Sequence, residues 1–220
     1  MRQVNIALDG PSGAGKSSVA KECARRLGLI YIDTGAMYRA AALYAIENGI
    51  PIERDALLPH LDGIHIDIRH VEGAQRLFLN GRDVSERIRE ADASIGSSNI
   101  AVIPEVRAKL VELQRELARN NSVVMDGRDI GTNVLPDADL KIFLTASLDV
   151  RAKRRYRELQ EKGMGRAYEA VKQDMAYRDE NDSKRECAPL CMAEDAVLID
   201  SSDMTFEEVV RKIAGMISKL

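Results

Sequence analysis

No apolar run in this 220-residue chain approaches the ~18 residues of a membrane span. The opening stretch "MRQVNIALDG" has no signal-peptide apolar region and runs straight into a glycine-rich segment, so no targeting segment is expected. Cysteine is scarce. Cys23, Cys187 and Cys191 are too few and too unevenly placed for a disulfide framework. Neither a histidine nor a third cysteine lies near Cys187 and Cys191 in sequence to complete a zinc site. The only histidines, His60, His65 and His70, recur every fifth residue and share no helical face. An excess of one charge is also missing: the formal net charge is −3, which excludes a broad nucleic-acid footprint. These absences point to a cytoplasmic, reducing location with neither membrane nor nucleic acid as partner, and a monomer is expected.

What is present is an ordinary globular composition, 45% hydrophobic and 30% charged, long enough to bury a sizeable core. One segment stands apart. In "GPSGAGKSS" (10–18), Gly10, Gly15, Lys16 and Ser17 fit G-x-x-x-x-G-K-[ST] without mismatch. An apolar run, "VNIALD", precedes it and a helical pattern follows, which is the context that the motif requires. Glycines let successive backbone N–H groups turn inward around a phosphate. The helix beginning near Lys16 directs its positive end at the same anion. Lys16 suits the β- and γ-phosphates, and the Ser17 hydroxyl suits Mg²⁺. The expected ATP-binding residues are Gly10, Pro11, Ser12, Gly13, Ala14, Gly15, Lys16, Ser17 and Ser18.

The chain then alternates strands and helices. Strands are expected at 4–9, 29–33, 122–126, 140–146 and 196–200, all buried, with helices at 16–27, 35–49, 104–121, 149–162, 166–181 and after the last strand. This predicts an α/β P-loop fold with a five-stranded parallel sheet flanked by helices. Between them, "GIHIDIRH" (63–70) alternates with period two, and "RLFLNGRDV" (76–84) follows a "VEGAQ" turn. That pattern predicts an inserted small antiparallel sheet.

Clusters outside the loop suit a second anionic substrate. "DTGAMYR" (33–39) follows the second strand, where a sheet's carboxyl edge binds ligands, and contains Thr34 and Arg39. Its plainer reading is a helix cap, by Asp33 or Thr34, with a surface arginine. "DGRDIGT" (126–132) places Asp126 where a Mg²⁺-organising carboxylate is expected, acting through water, and Arg128 where a guanidinium can fork onto phosphate. Ser98 and Arg107 lie in "SSNIAVIPEVR", where Arg107 taken alone reads as a helix-surface arginine. From "RAKRRYRELQ" (151–160) to "YRDENDSKR" (177–185) most charges read as solvated helical faces, although Arg178 and Asp182 share one face and Arg185 ends the run.

Taken together, "IALDGPSGAGKSSVAK", "YIDTGAMYRAAAL", "LNGRDVSERIR", "MDGRDIGTNVLPDADLKIFLTAS", "RAKRRYRELQEKG", "RDENDSKRECAPL" and "LIDSSDM" resemble the bacterial cytidylate kinases across essentially the whole chain. The resemblance implies ATP-dependent phosphorylation of CMP and dCMP with Mg²⁺. It implies monophosphate binding by Thr34, Arg39, Arg128 and Arg185, cytosine reading by Ser98, Arg107 and Asp129, and sugar contacts from Arg178 and Asp182. It places a mobile lid near 150–166, with Arg151, Arg154 and Arg155 as candidates for contacting the transferring group. Lys16, Arg128, Arg154 and Arg155 form the implied catalytic set. The implied organisation is one kinase domain: a core of 1–33, 107–149 and 182–220, a monophosphate-binding part at 34–106, and a lid with adjoining helices at 150–181. The rivals are another small-molecule P-loop kinase, acting on UMP, AMP or shikimate, and a regulatory P-loop NTPase. A base-reading arginine cluster argues against the first; the lack of a water-positioning residue argues against the second.

Overall fold

Strand β1 (Asn5–Asp9) takes the centre of a parallel sheet because both of its faces are apolar, and Ile6, Ala7 and Leu8 are all buried. After it come α1 (Lys16–Leu27), β2 (Ile30–Asp33), α2 (Thr34–Glu47) and the single turn α3 (Arg54–Leu57). Then follow β3 (Ile66–Val71), β4 (Ala74–Leu79), β5 (Arg82–Asp83), α4 (Ala91–Ile100) and α5 (Pro104–Asn120). The chain ends with β6 (Val123–Gly127), β7 (Leu140–Thr145), α6 (Leu148–Glu161), α7 (Tyr168–Lys184), β8 (Val197–Asp200) and α8 (Phe206–Ile217). This computed structural model describes residues 3–71, 74–161 and 163–220. The chain divides into two compact units, 1–31 with 120–220 and 32–119.

The first unit is built on the five-stranded sheet, in the order β2-β6-β1-β7-β8. β1 pairs in parallel with β6 and β7, and β7 with β8. Ile6, Leu8, Val124, Ile142 and Leu144 pack with Val19 and Cys23 of α1 and with Val209, Val210 and Ile213 of α8. A capping box closes the start of α8: Thr205 accepts the Glu208 N–H, and the Glu208 side chain accepts the Thr205 N–H. Asp9 stands opposite Gly127 in the ladder, so the segments after β1 and β6 leave the sheet side by side at its carboxyl edge. One expectation fails here. β8 is not a buried strand; it lies at the sheet's edge, and Leu198 is 55% exposed. An apolar run alone does not separate an edge strand from a central one.

In the second unit, α2 buries Met37, Ala40, Ala41, Ala42 and Leu43 against Ile100 and Leu110. The inserted sheet has the order β3-β4-β5 and is antiparallel, with Ile66 opposite Leu79 and Ile68 opposite Leu77 on the packed face. The stretch 76–84 is not one strand. Asn80 (φ 49°) and Gly81 (φ 80°) form a tight hairpin turn that folds β5 back on β4. Residues 72–73 of the expected "VEGAQ" turn lie outside the described residues. Helix α4, not anticipated from the sequence, carries Ser98, and α7 runs to Lys184, three residues beyond its expected end at 181.

Candidate active site

The loop from Gly10 to Gly15 links β1 to α1. Gly10 has φ +144°, and a Cβ there would collide with the Leu144 carbonyl, so only glycine lets the loop leave the sheet at this point. Lys16 folds back and donates to the Pro11 carbonyl at 2.8 Å. Burial lowers its pKa to about 7 and the nearby Arg128 charge adds to the effect, while Asp126, Asp9 and Asp182 oppose it.

Ser17 Oγ donates to Asp126 Oδ2 at 2.7 Å, and the Tyr31 hydroxyl donates to Asp126 Oδ1 at 3.1 Å. A hydroxyl and a carboxylate joined at the mouth of a phosphate loop are hard oxygen donors, the set that suits Mg²⁺. The residues present fit that ion. Asp126 comes from β6, the neighbour of β1, which explains how a residue 109 positions away reaches Ser17.

The segment after β6 carries the next pairs. Arg128 Nε donates to Asp182 Oδ2 of α7 at 2.7 Å. Burial works to raise the Asp182 carboxyl, yet Arg128, helped by Arg185 and Arg178, holds it below the ordinary carboxylate range. Asp129 accepts from Arg185 Nη2 at 2.9 Å, and this pair is almost fully buried. Asp129 also accepts from Asn133 Nδ2 at 2.9 Å. The three arginines after β7 part company. Arg151 is buried and donates to the Ser12 carbonyl of the phosphate loop at 2.9 Å. Arg154 is tied to the Ser201 carbonyl at 2.6 Å, and Arg155 pairs with Glu158 in the next turn of its own helix.

In the second unit Asp33 caps α2, accepting the Ala36 N–H at 2.8 Å, and takes Arg39 Nη2 at 3.0 Å. Of the two caps open in the sequence, Asp33 is the one formed; Thr34 is the first residue of α2 and is buried. Gln75 at the start of β4 accepts the Asp33 N–H at 3.3 Å. Arg107 is not a surface arginine: it is 2% exposed, donates to the Ala101 carbonyl at 3.4 Å and stands over the Tyr38 ring, 5.6 Å from its centre. Ser98 is buried in α4, and its Oγ finds no hydrogen-bond partner among the described residues.

The family model described as Cytidylate kinase matches residues 6–219. The chain belongs to the cytidylate kinase family. Proteins named cytidylate kinase from Caldicellulosiruptor bescii and Caldicellulosiruptor saccharolyticus are 49% and 50% identical over 221 residues, covering the whole of this chain and 98% of each relative. An uncharacterised protein from Eubacterium ventriosum, 16% identical and covered in full by this chain and covering it in full, shares the fold with a TM-score of 0.53. As a cytidylate kinase family member the chain is a phosphotransferase of α/β architecture with a P-loop. Among the described residues no helix is long and apolar enough to cross a membrane.

The structure adds site residues that sequence reasoning passed over in this cytidylate kinase family member. Asp9, buried at the end of β1, accepts the N–H groups of Ile130 and Gly131 at 2.8 and 2.7 Å. Burial raises its carboxyl to about 6, although those N–H groups pull the other way. Its signal was readable: an acid ending an otherwise apolar central strand needs a local reason. Asp179 accepts the Ser12 N–H at 3.1 Å and Arg151 Nη1 at 2.6 Å. Nothing in "RDENDSKR" distinguished it from its neighbours, because the contact depends on where α7 packs.

Proposed function

We propose that the chain transfers the γ-phosphoryl group of ATP to CMP and dCMP, yielding ADP and the corresponding diphosphate. The carrying observation is the first unit's wiring: a complete phosphate loop whose Ser17 and Asp126 meet, beside a segment that presents Arg128 and Arg185 on acidic partners. A CMP phosphate oxygen forms a bond to the γ-phosphorus as the bond to the β–γ bridging oxygen breaks. With a second pKa of about 6, that acceptor is already an oxyanion near neutral pH and needs no general base. The work left to the protein is positioning and charge stabilisation.

On this reading Lys16 and the loop N–H groups take the ATP phosphates. Ser17 and Asp126 would hold Mg²⁺, which offsets charge on the β- and γ-oxygens. In the second unit Arg39 and Thr34 are suited to a phosphate, and in the first Arg128 and Arg185 are. In the second unit Ser98 and Arg107 are suited to reading the base; in the first Asp129 is suited to the same task, and Arg178 and Asp182 to the sugar. The pairs Arg128–Asp182, Arg185–Asp129 and Arg39–Asp33 keep these arginines charge-balanced before the nucleotide arrives. Free cysteines and the use of ATP and CMP support a cytoplasmic setting. A coupled assay with Mg·ATP and a panel of nucleoside monophosphates tests the proposal. CMP and dCMP should be phosphorylated well ahead of UMP and AMP. Equal rates across the panel would overturn the base assignment, and no transfer to any of them would overturn the kinase reading.

A further inference from the structure

Helix α7 makes contacts of two kinds from successive turns. Asp182 and, just past the helix, Arg185 engage Arg128 and Asp129 of the segment after β6. One turn earlier, Asp179 faces the phosphate loop instead. Its Oδ1 accepts the Ser12 N–H at 3.1 Å, and its Oδ2 accepts Arg151 Nη1 at 2.6 Å. The same Arg151 nitrogen donates to the Ser12 carbonyl at 2.9 Å, while Arg151 Nε holds the Ala146 carbonyl at 2.8 Å. Both backbone polar groups of Ser12 are therefore held by side chains from α6 and α7. At the next residue, a Cβ on Gly13 would collide with Met175 Cε of α7, so the loop's tip lies directly against this helix.

We infer that Asp179 is a positioning residue for the donor nucleotide: through Ser12 and Arg151 it fastens the tip of the phosphate loop to the helix that also holds the acceptor-side pairs. A glycine-rich loop has many conformations to lose when it closes on a polyphosphate. Fixing its tip in advance removes part of that loss and strengthens binding without a new contact to the ligand. Asp179 also gives Arg151 a counter-charge, so a buried guanidinium can stand beside the loop without a ligand.

This inference rests on the donor-site reading, and the test separates the two. Calorimetric titration with Mg²⁺ and a non-hydrolysable ATP analogue is compared for wild type, Asp179→Ala and Arg151→Lys, with thermal melting as the check on folding. Lysine keeps the charge of Arg151 but has one nitrogen where the fork serves two carbonyls and a carboxylate. Asp179→Ala should weaken the analogue about tenfold, and Arg151→Lys should weaken it in the same direction but less. The KM for CMP at saturating ATP should stay within about twofold of wild type, a split that general destabilisation would not produce. Wild-type affinity in both variants overturns the inference, as does a rise in the KM for CMP equal to the loss for ATP. If Asp179→Ala does not fold, Arg151→Lys decides alone. A wild-type chain that does not bind the analogue sinks the donor-site reading itself.

Discussion

The two units hold their candidate residues over different lengths of chain. In the first, Ser17 meets Asp126 across 109 positions, Asp9 reaches Gly131 across 122, and Arg185 reaches Asp129 across 56. In the second, Asp33 holds Arg39 from six residues away, and Arg107 reaches Ala101 over the same interval. The stack of Arg107 on Tyr38 and the Gln75 contact to Asp33 are its longer links. The first unit thus carries a site assembled by sheet register and helix packing. The second carries groups placed mainly at helix starts. Changes to the first unit's long-range pairs should disturb function and stability together, whereas changes in the second should affect ligand more than fold.

The largest effect tests the first unit where it is most local. Lys16→Ala removes the cation proposed for the β- and γ-phosphates, and turnover should fall by at least about 10²-fold with the fold intact. Near-normal turnover in a folded mutant would end the phosphoryl-transfer reading.

A matched pair of variants then sets the units against each other. Arg128→Ala should raise the KM for CMP or slow transfer by ~10–100-fold with ATP binding nearly unchanged. It also strands the buried Asp182 and should lower the free energy of unfolding by about 1–3 kcal/mol. Arg39→Ala should weaken CMP as well, but Asp33 is partly exposed and keeps its capping role, so stability should change by less than ~1 kcal/mol. Urea unfolding of both variants decides, and equal losses of stability would erase the contrast.

Asp129→Asn sharpens the comparison at the base. Asp129 is already engaged with Arg185, so it can act by holding that arginine or by accepting the cytosine amine. If it reads the base, the substitution should cost CMP about 1–3 kcal/mol and narrow the preference for CMP over UMP, because an amide can donate to uracil's oxygen. Measured kcat/KM for both nucleotides settles the matter. An unchanged ratio assigns Asp129 to holding Arg185.

The smallest effect concerns Asp9. Its carboxyl moves from the ordinary 3.8 to about 6 on folding, chiefly through burial. The folded chain therefore keeps a proton that the unfolded chain releases near pH 4, and the stability this contributes is lost as pH rises through 6. Asparagine has no such dependence. Between pH 5 and pH 8 the wild type should lose about 1 kcal/mol of stability relative to Asp9→Asn, read from urea unfolding at both values. A difference that does not move with pH would place the proton elsewhere.

Legibility in the sequence followed the span of each contact rather than the unit it lies in. The phosphate loop could be read residue by residue because a local turn, three glycines and a helix start determine it. The core strands and most helices followed from periodicity. Buried Arg107, by contrast, looked like one of many helix-surface arginines, because its burial depends on Tyr38, 69 positions away on another helix. β8 looked like a buried strand because apolar content does not encode position in a sheet. The break at Asn80-Gly81 was a local signal that the longer alternating pattern hid.

By itself, then, the sequence determined the parallel α/β class, the phosphate loop, the inserted antiparallel sheet and the residue types available to a second anion. Each depends on backbone preferences or apolar periodicity within a short window. Only the tertiary structure decided that Asp126 reaches Ser17, that Asp9 holds the segment after β6, and that Arg151 rather than Arg154 or Arg155 attaches to the loop. Those contacts join groups on residues 109, 121 and 139 positions apart, and only strand register and helix packing bring such distant groups within hydrogen-bond reach.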